Sequence, residues 1–178
     1  MLQLTPSPIE TPRLILRPFL ETDAPSMYRN WASDSRVTRF LTWPTHTSPE
    51  VTLAVIRHWI STSACEWCIV PREFNEPMGS LGVVSVDEST GTVELGYCLS
   101  QTCWGKGYAA EALSAVISTL FANPAVRRIT AKHDLENPNS GRVMQKAGMS
   151  FLENRAAAVI NHLGPRDVAV YSISNPNP

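Results

Sequence analysis

The chain has 178 residues, 43% of them hydrophobic and 17% charged, with a formal net charge of −1. That length accommodates one domain with a real core, and a near-neutral balance without a basic block excludes the counterion-releasing footprint of a nucleic-acid binder. The N-terminus lacks a basic start, apolar stretch and cleavage site, and no segment approaches the ~18 apolar residues of a membrane span, so a cytoplasmic, membrane-free protein is expected.

Residues 1–10 read as an N-terminal arm ahead of R-L-I-L-R-P-F (Arg13 to Phe19), where alternation predicts a first strand. Thr22 or Asp23 is placed to cap a helix through Met27, Tyr28 and Trp31, and Ser48 with Pro49 at the first helical position starts another reaching about Thr62. Three strands follow, over Cys65 to Val70, Met78 to Val86 and Thr92 to Leu99, separated by turn-rich E-F-N-E-P and D-E-S-T-G. A strongly periodic helix runs from Tyr108 to Asn123-Pro124. Arg127 to Lys132 is a strand, Ser140 to Ala147 a helix closed by Gly148, and Phe151 to Glu153 and Asp167 to Ile173 are final strands before a tail, 175–178, expected to fray.

This order, β-α-α-β-β-β-α-β-α-β-β, implies an α+β fold in one domain, a mixed sheet of about seven strands with helices on both faces. Cys65 and Cys68 form a C-x-x-C pair, but residues three apart on a strand face opposite sides and no further ligand lies at zinc spacing. Free thiols and no metal are expected.

Chemistry concentrates in Trp104-Gly105-Lys106-Gly107-Tyr108-Ala109-Ala110-Glu111-Ala112, where a strand ends and a helix begins. Without Cβ atoms, Gly105 and Gly107 let the backbone approach a ligand closely, and the free amides of the helix's first turn attract an anion such as a diphosphate. The segment is neither a P-loop nor a complete dinucleotide fingerprint, which sets nucleotide hydrolysis and hydride transfer aside. Lys106 and Arg142 read equally as solvated charges, and Glu111 as an exposed helix residue or a support for the loop.

W-G-K-G-Y-A-x-E-A resembles the coenzyme A diphosphate loop of the GNAT acetyltransferases, Q/R-x-x-G-x-G/A. Tryptophan at its first position resembles the branch of ribosomal-protein N-terminal acetyltransferases of the RimJ/RimL type. Downstream, Glu136 to Met149 is similar to the family's E/D-N-x-x-S-x-R-V-x-x-K-x-G-F segment, with Met149 replacing Phe, and Thr11 to Phe19 is similar to the branch's first strand. The resemblance covers about residues 10 to 174.

It implies a GNAT-like fold with a mostly antiparallel twisted sheet, and acetyl-CoA as cosubstrate. Trp104, Gly105, Lys106, Gly107, Tyr108 and Ala109 would form the cofactor loop, amides around Leu99 would meet the thioester carbonyl, and Asn137 would hold the pantetheine. Ser140 would hydrogen-bond the leaving sulfur, with Tyr97 and Tyr108 in reserve, and Glu94 would act as base, directly or through water. Glu94 is also readable as a strand carboxylate at the solvent edge, Asn137 and Ser140 as helix caps, and His133 as structural.

The acceptor stays open between a protein N-terminal α-amine and a small-molecule amine. Its recognition would come from the early helices, the loop Phe40-Leu41-Thr42-Trp43-Pro44, Trp67, and the turn Asn161 to Gly164, although Trp31, Trp43 and Trp59 read equally as core. The alternative to an enzyme is a sensor of the same fold that binds acyl-CoA without turnover. Self-association as a homodimer, through the sheet edge or the early helices, is supported by no particular residue.

Overall fold

The computed structural model describes residues 3–177. Eight strands form one sheet in the order β1-β2-β3-β4-β5-β6-β8-β7, antiparallel throughout except for the parallel pair β5 and β6. The strands are β1 (Ile9–Glu10), β2 (Leu14–Pro18), β3 (Glu66–Pro71), β4 (Gly79–Asp87), β5 (Thr92–Leu99), β6 (Arg128–Asp134), β7 (Ser150–Asn161) and β8 (Gly164–Ser174). The strand beyond the expected seven is β1: the arm folds back on β2, pairing Ile9 with Leu16 and Glu10 with Ile15. Met1 and Leu2 of the arm, and Pro178 of the tail, lie outside the described residues.

Alternation along the strands divides the apolar side chains between two cores. Leu14, Leu16, Trp67, Ile69, Leu81, Val93, Leu95, Leu99, Ile129 and Ala131 face α4 (Tyr108–Phe121) and α5 (Pro138–Lys146), against Leu113, Val116, Ile117 and Met144. On the opposite face, Cys68, Val70 and Cys98 meet Phe19, Met27, Trp31, Val37 and Ile56. These last come from the early helical region: a 3-10 turn (Glu21–Asp23), α1 (Ala24–Met27), a π-helical turn (Tyr28–Ala32), α2 (Ser35–Thr38) and α3 (Pro49–Ser61).

The first expected helix is irregular: α1 begins at Ala24 directly after Asp23, but a 3-10 turn from Glu21 precedes it and a π turn follows. The Asp23 side chain makes no capping bond to α1; its carboxylate accepts the Leu20 amide at 2.8 Å and pairs with Arg17 at 2.7 Å. The wide π turn closes with the Ser33 amide on the Tyr28 carbonyl, and it buries consecutive residues Trp31 and Ala32. The Trp31 indole N–H is buried there with no acceptor among the described residues. Ser48 and Pro49 start α3 as their pattern implies.

The late hairpin departs most from the sequence reading. β7 runs twelve residues rather than three, almost wholly exposed, with register shifts between Phe151 and Glu153 and between Arg155 and Val159. A ribbon wet on both faces carries no apolar alternation, so its length is invisible to a period-2 reading. The tail is tied down at Asn175, which is buried and donates to the Phe121 and Val126 carbonyls at 3.1 and 2.9 Å. Fraying therefore does not begin at residue 175.

Candidate functional site

The parallel pairing of β5 with β6 runs from Thr92 opposite Arg128 to Leu95 opposite Ala131 and stops there, although β5 continues to Leu99 and β6 to Asp134. The strands splay from Gly96 onward. The Ser100 amide donates to Met78 on the β4 side at 2.7 Å. Since successive amides on a strand point to opposite sides, the Leu99 N–H faces the gap.

The loop after β5 borders the same gap. Trp104 is half exposed, and its indole Nε1 donates to the Leu99 carbonyl at 2.9 Å, tying the loop to the strand end. Gly105 and Gly107 adopt φ of +74° and +82°, the left-handed region that glycine enters without steric cost. Gly107 is the residue from which α4 starts, and it offers no side-chain cap. The amides of Lys106, Gly107, Tyr108 and Ala109 have no acceptor among the described residues, leaving a row of donors at the positive end of a fourteen-residue helix.

Glu111 holds this loop in place. Its carboxylate accepts the Thr11 hydroxyl at 2.6 Å, the Arg13 amide at 3.0 Å and the Arg13 guanidinium at 2.6 Å. Arg13 also donates to the Lys106 carbonyl at 2.8 Å and lies over the Tyr108 ring. Burial opposes ionisation of Glu111, but the bonds from Thr11 and Arg13 outweigh it and hold the carboxyl below its ordinary range. Of the two sequence readings of Glu111, the supporting one is what the geometry shows. Lys106 instead turns to the β3–β4 connection, with Nζ 3.1 Å from Glu73 and over the Phe74 ring. Tyr108 is buried under the Arg13 guanidinium, and the Glu73 carboxylate raises its phenol above the ordinary range.

Across the gap, on the α5 face, the Tyr97 hydroxyl lies 2.7 Å from Ser140 Oγ and donates to the Ser140 carbonyl at 2.9 Å. Burial raises the phenol well above its ordinary range, despite the bond to Ser140. Asn137 stands at the helix-cap position of α5, but its side chain makes no capping bond. His133 packs on the tyrosine of β8, its ring 5.7 Å from that of Tyr171, and its Nε2 fits against Gly141, where a Cβ would lie 2.6 Å away. That is the structural reading of His133.

Glu94 lies on the opposite face from Tyr97, as alternation requires, and pairs with Lys132 at 2.8 Å. It stands neither at the solvent edge nor alone, since β5 is an interior strand. The sequence reading missed Lys132, and it treated Glu66 only as a spacer between two cysteines. Glu66 and Glu94 occupy one face of the sheet, and burial pushes Glu66 up to about 7, partly offset by a bond from Ser80. A carboxylate inside the apolar run C-E-W-C-I-V was the available signal.

The expected acceptor elements divide. Asn161 donates to the Arg39 carbonyl at 3.2 Å, joining the β7–β8 turn to the segment that carries Phe40 and Trp43. Trp67 does not join them: it is fully buried in the α4-side core, donating to the Ser7 carbonyl at 2.8 Å, because its place in β3 points it away from Glu66 and Cys68. Trp31 and Trp59 pack in the other core. The four cysteines are unpaired and buried, with Cys65 and Cys68 in opposite cores, and the described residues hold no metal-binding cluster. No described helix is long and apolar enough to cross a membrane.

Comparison with known proteins places the chain among acetyltransferases. The chain is 28% identical over 172 residues to the uncharacterized N-acetyltransferase YoaA of Bacillus subtilis (strain 168), covering 94% of this chain and 97% of that protein. It is 31% identical over 148 residues to the uncharacterized N-acetyltransferase p20 of Bacillus licheniformis, covering 78% and 83%. Among solved structures, the ribosomal L7/L12 α-N-protein acetyltransferase RimL in complex with coenzyme A superposes with a TM-score of 0.84 at 20% identity, over 97% of this chain and 100% of that one. The sequence profile of the acetyltransferase (GNAT) domain matches residues 13–150, which takes in β2, the splayed pair and the glycine loop, and the chain belongs to the GNAT acetyltransferase family.

Proposed function

We propose that the protein transfers the acetyl group of acetyl-CoA to a primary amine bound on the Glu94 face of the sheet. The observation that carries this reading is the splay of β5 from β6, with the donor row from Lys106 to Ala109 at its mouth and the Leu99 amide inside it. Such a row suits a diphosphate, and a cleft between strands suits an extended arm. RimL, similar in fold, is solved in complex with coenzyme A, which supports coenzyme A as the ligand.

Acetyl-CoA supplies the activated acyl carbon, and the rest is done by the chain's own groups. The Leu99 N–H is available to hold the thioester oxygen. Ser140 is available to donate to the departing sulfur, and the Tyr97 hydroxyl, which donates its one proton to the Ser140 carbonyl, holds Ser140 in place from 2.7 Å. The raised Tyr97 phenol is better suited to that supporting part than to giving up its own proton. Asn137, with no capping duty, is free to bind the pantetheine amides. Glu94, oriented by Lys132, faces the other side, so amine and leaving group are served from opposite faces. Lys106, already paired with Glu73, contributes to the loop through its backbone.

Trp104 at the first loop position and the T-P-R-L-I-L-R-P-F strand support the RimJ/RimL-type branch and a cytoplasmic N-terminal α-amine as acceptor, with a small-molecule amine as the second candidate. Calorimetric titration with acetyl-CoA, followed by thiol release across N-terminal peptides and small amines, tests the reading. Acceptor-dependent release is expected. Absence of acetyl-CoA binding would overturn the assignment of the loop, and binding with no release from any acceptor would favour a sensor.

A further inference from the structure

One acidic group on the Glu94 face has no part in the chemistry above. Glu66 opens β3 in register with Gly82 on β4 and, one strand further, Gly96 on β5. Neither glycine covers the sheet with a side chain of its own, which leaves a narrow lane from Glu66 to the first β5 residue beyond the pairing with β6, occupied over Gly82 by Glu66 itself and flanked at Gly96 by Val84. The Glu66 side chain lies in that lane: a Cβ on Gly82 would sit 1.5 Å from Oε2 and 2.4 Å from Cδ. The carboxylate is therefore aimed across β4 towards β5, and with strands ~4.8 Å apart it ends about one strand spacing from Gly96. Ser80 lies on the same face of β4, with its hydroxyl 3.6 Å from the Cys98 thiol.

What distinguishes Glu66 is the lack of a cation. Asp23 has Arg17, Asp134 has Arg166, Glu111 has Arg13 and Glu94 has Lys132. Among the described residues no Lys, Arg or His pairs with Glu66, and the next row on its face is Cys68, Ser80 and Cys98. Removing a carboxylate from water without a counter-ion is costly, and a fold that keeps one beside a reaction cleft holds an unmet demand for positive charge.

We propose that Glu66, lying over Gly82 in the lane that leads to Gly96, is the subsite that draws the acceptor's ammonium group to the splay before Glu94 takes its proton, so that the reacting end of the acceptor is a slim primary ammonium rather than a branched or secondary amine. This inference rests on the acetyl-transfer reading. Glu94 cannot take the same part without displacing Lys132, and the lane is narrow because Val84 closes on Gly96, where a Cβ would lie 2.9 Å from Val84 Cγ2.

The test is binding of n-butylammonium, as a compact probe, to the full-length protein saturated with coenzyme A. Calorimetry would be run on wild type, Glu66→Gln and Gly82→Ala, with acetyl-CoA affinity measured in parallel. Wild type should bind the probe at least tenfold more tightly than Glu66→Gln. Gly82→Ala, which keeps the charge but fills the lane, should lose binding similarly, and acetyl-CoA affinity should stay within twofold in all three. In turnover with n-butylamine, Glu66→Gln should raise the amine KM tenfold or more while saturating kcat changes less than threefold, a split that a merely structural residue would not produce. Equal probe binding by wild type and Glu66→Gln, including no binding by either, overturns the subsite. Failure of wild type to bind acetyl-CoA instead overturns the acetyl-transfer reading beneath it.

Discussion

Glu66→Gln should stabilise the protein at alkaline pH, and the magnitude follows from where the side chain lies. Burial raises the carboxyl from an ordinary 4.5 to about 7, so its folded-state value exceeds its unfolded one. The sign is fixed: the stability associated with the protonated group is complete below about pH 4.5 and is lost as pH rises to about 7, above which the loss is constant. A difference of 2.5 units at about 1.4 kcal/mol each sets a ceiling of about 3 kcal/mol. Glutamine, neutral at every pH, should escape that loss, giving roughly 1–3 kcal/mol over wild type at pH 8.5 and little difference at pH 4.5. For a chain of this size that is roughly 2–12 °C in melting temperature.

The neighbouring groups do not imitate this effect. Burial pushes Cys65 up to about 12 and Cys98 up to about 11, and raises Cys68 as well, so the thiols stay neutral over the range. The Arg17–Asp23 and Glu94–Lys132 pairs are common to both proteins. Thermal melts of wild type and variant from pH 4.5 to 8.5 supply the measurement. Parallel curves, with no pH-dependent difference, would refute the claim that Glu66 is a desolvated carboxylate without a counter-ion.

Gly107→Ala must hold a Cβ at φ +82°, which should cost about 1–2 kcal/mol and weaken acetyl-CoA binding; a melt and a titration check both. Glu111→Ala releases the Thr11 hydroxyl, the Arg13 amide and the Arg13 guanidinium together, so acetyl-CoA affinity should fall about tenfold and amide exchange should quicken through Thr11 to Leu14. Ser140→Ala and Tyr97→Phe each remove one side of the 2.7 Å contact, and both should lower kcat at least tenfold; a double-mutant cycle should show a coupling of about 1 kcal/mol, and strict additivity would separate their roles. Lys132→Met leaves Glu94 without its 2.8 Å partner and should reduce kcat/KM, with little further loss on adding Glu94→Gln.

Local signals carried much of the architecture. Thr92 to Leu99 was legible to the residue because its inner face alternates Val93, Leu95 and Leu99 against Glu94, Gly96 and Cys98. The Ser48-Pro49 start of α3 and the Tyr108 start of α4 follow from proline at the first helical position and from glycine at positive φ, which are properties of a few consecutive residues. The same locality explains the failures. The length of β7 and the pairing of β1 depend on a partner strand rather than on periodicity, and Trp67 was assigned to the acceptor side before the face of β3 was known.

By itself, then, the sequence determined the element order, the glycine loop ahead of a strong helix, and the family to which those motifs belong, because each is written in short-range spacing. Only tertiary structure decided which groups meet. It brought Tyr97 to Ser140 across 43 positions, Arg13 to Glu111 across 98, and Lys132 to Glu94 across adjacent parallel strands. It also laid Glu66 over Gly82, in register with Gly96 one strand further, and left it without a cation among the described residues, since charge balance at such a site depends on every element packed around it.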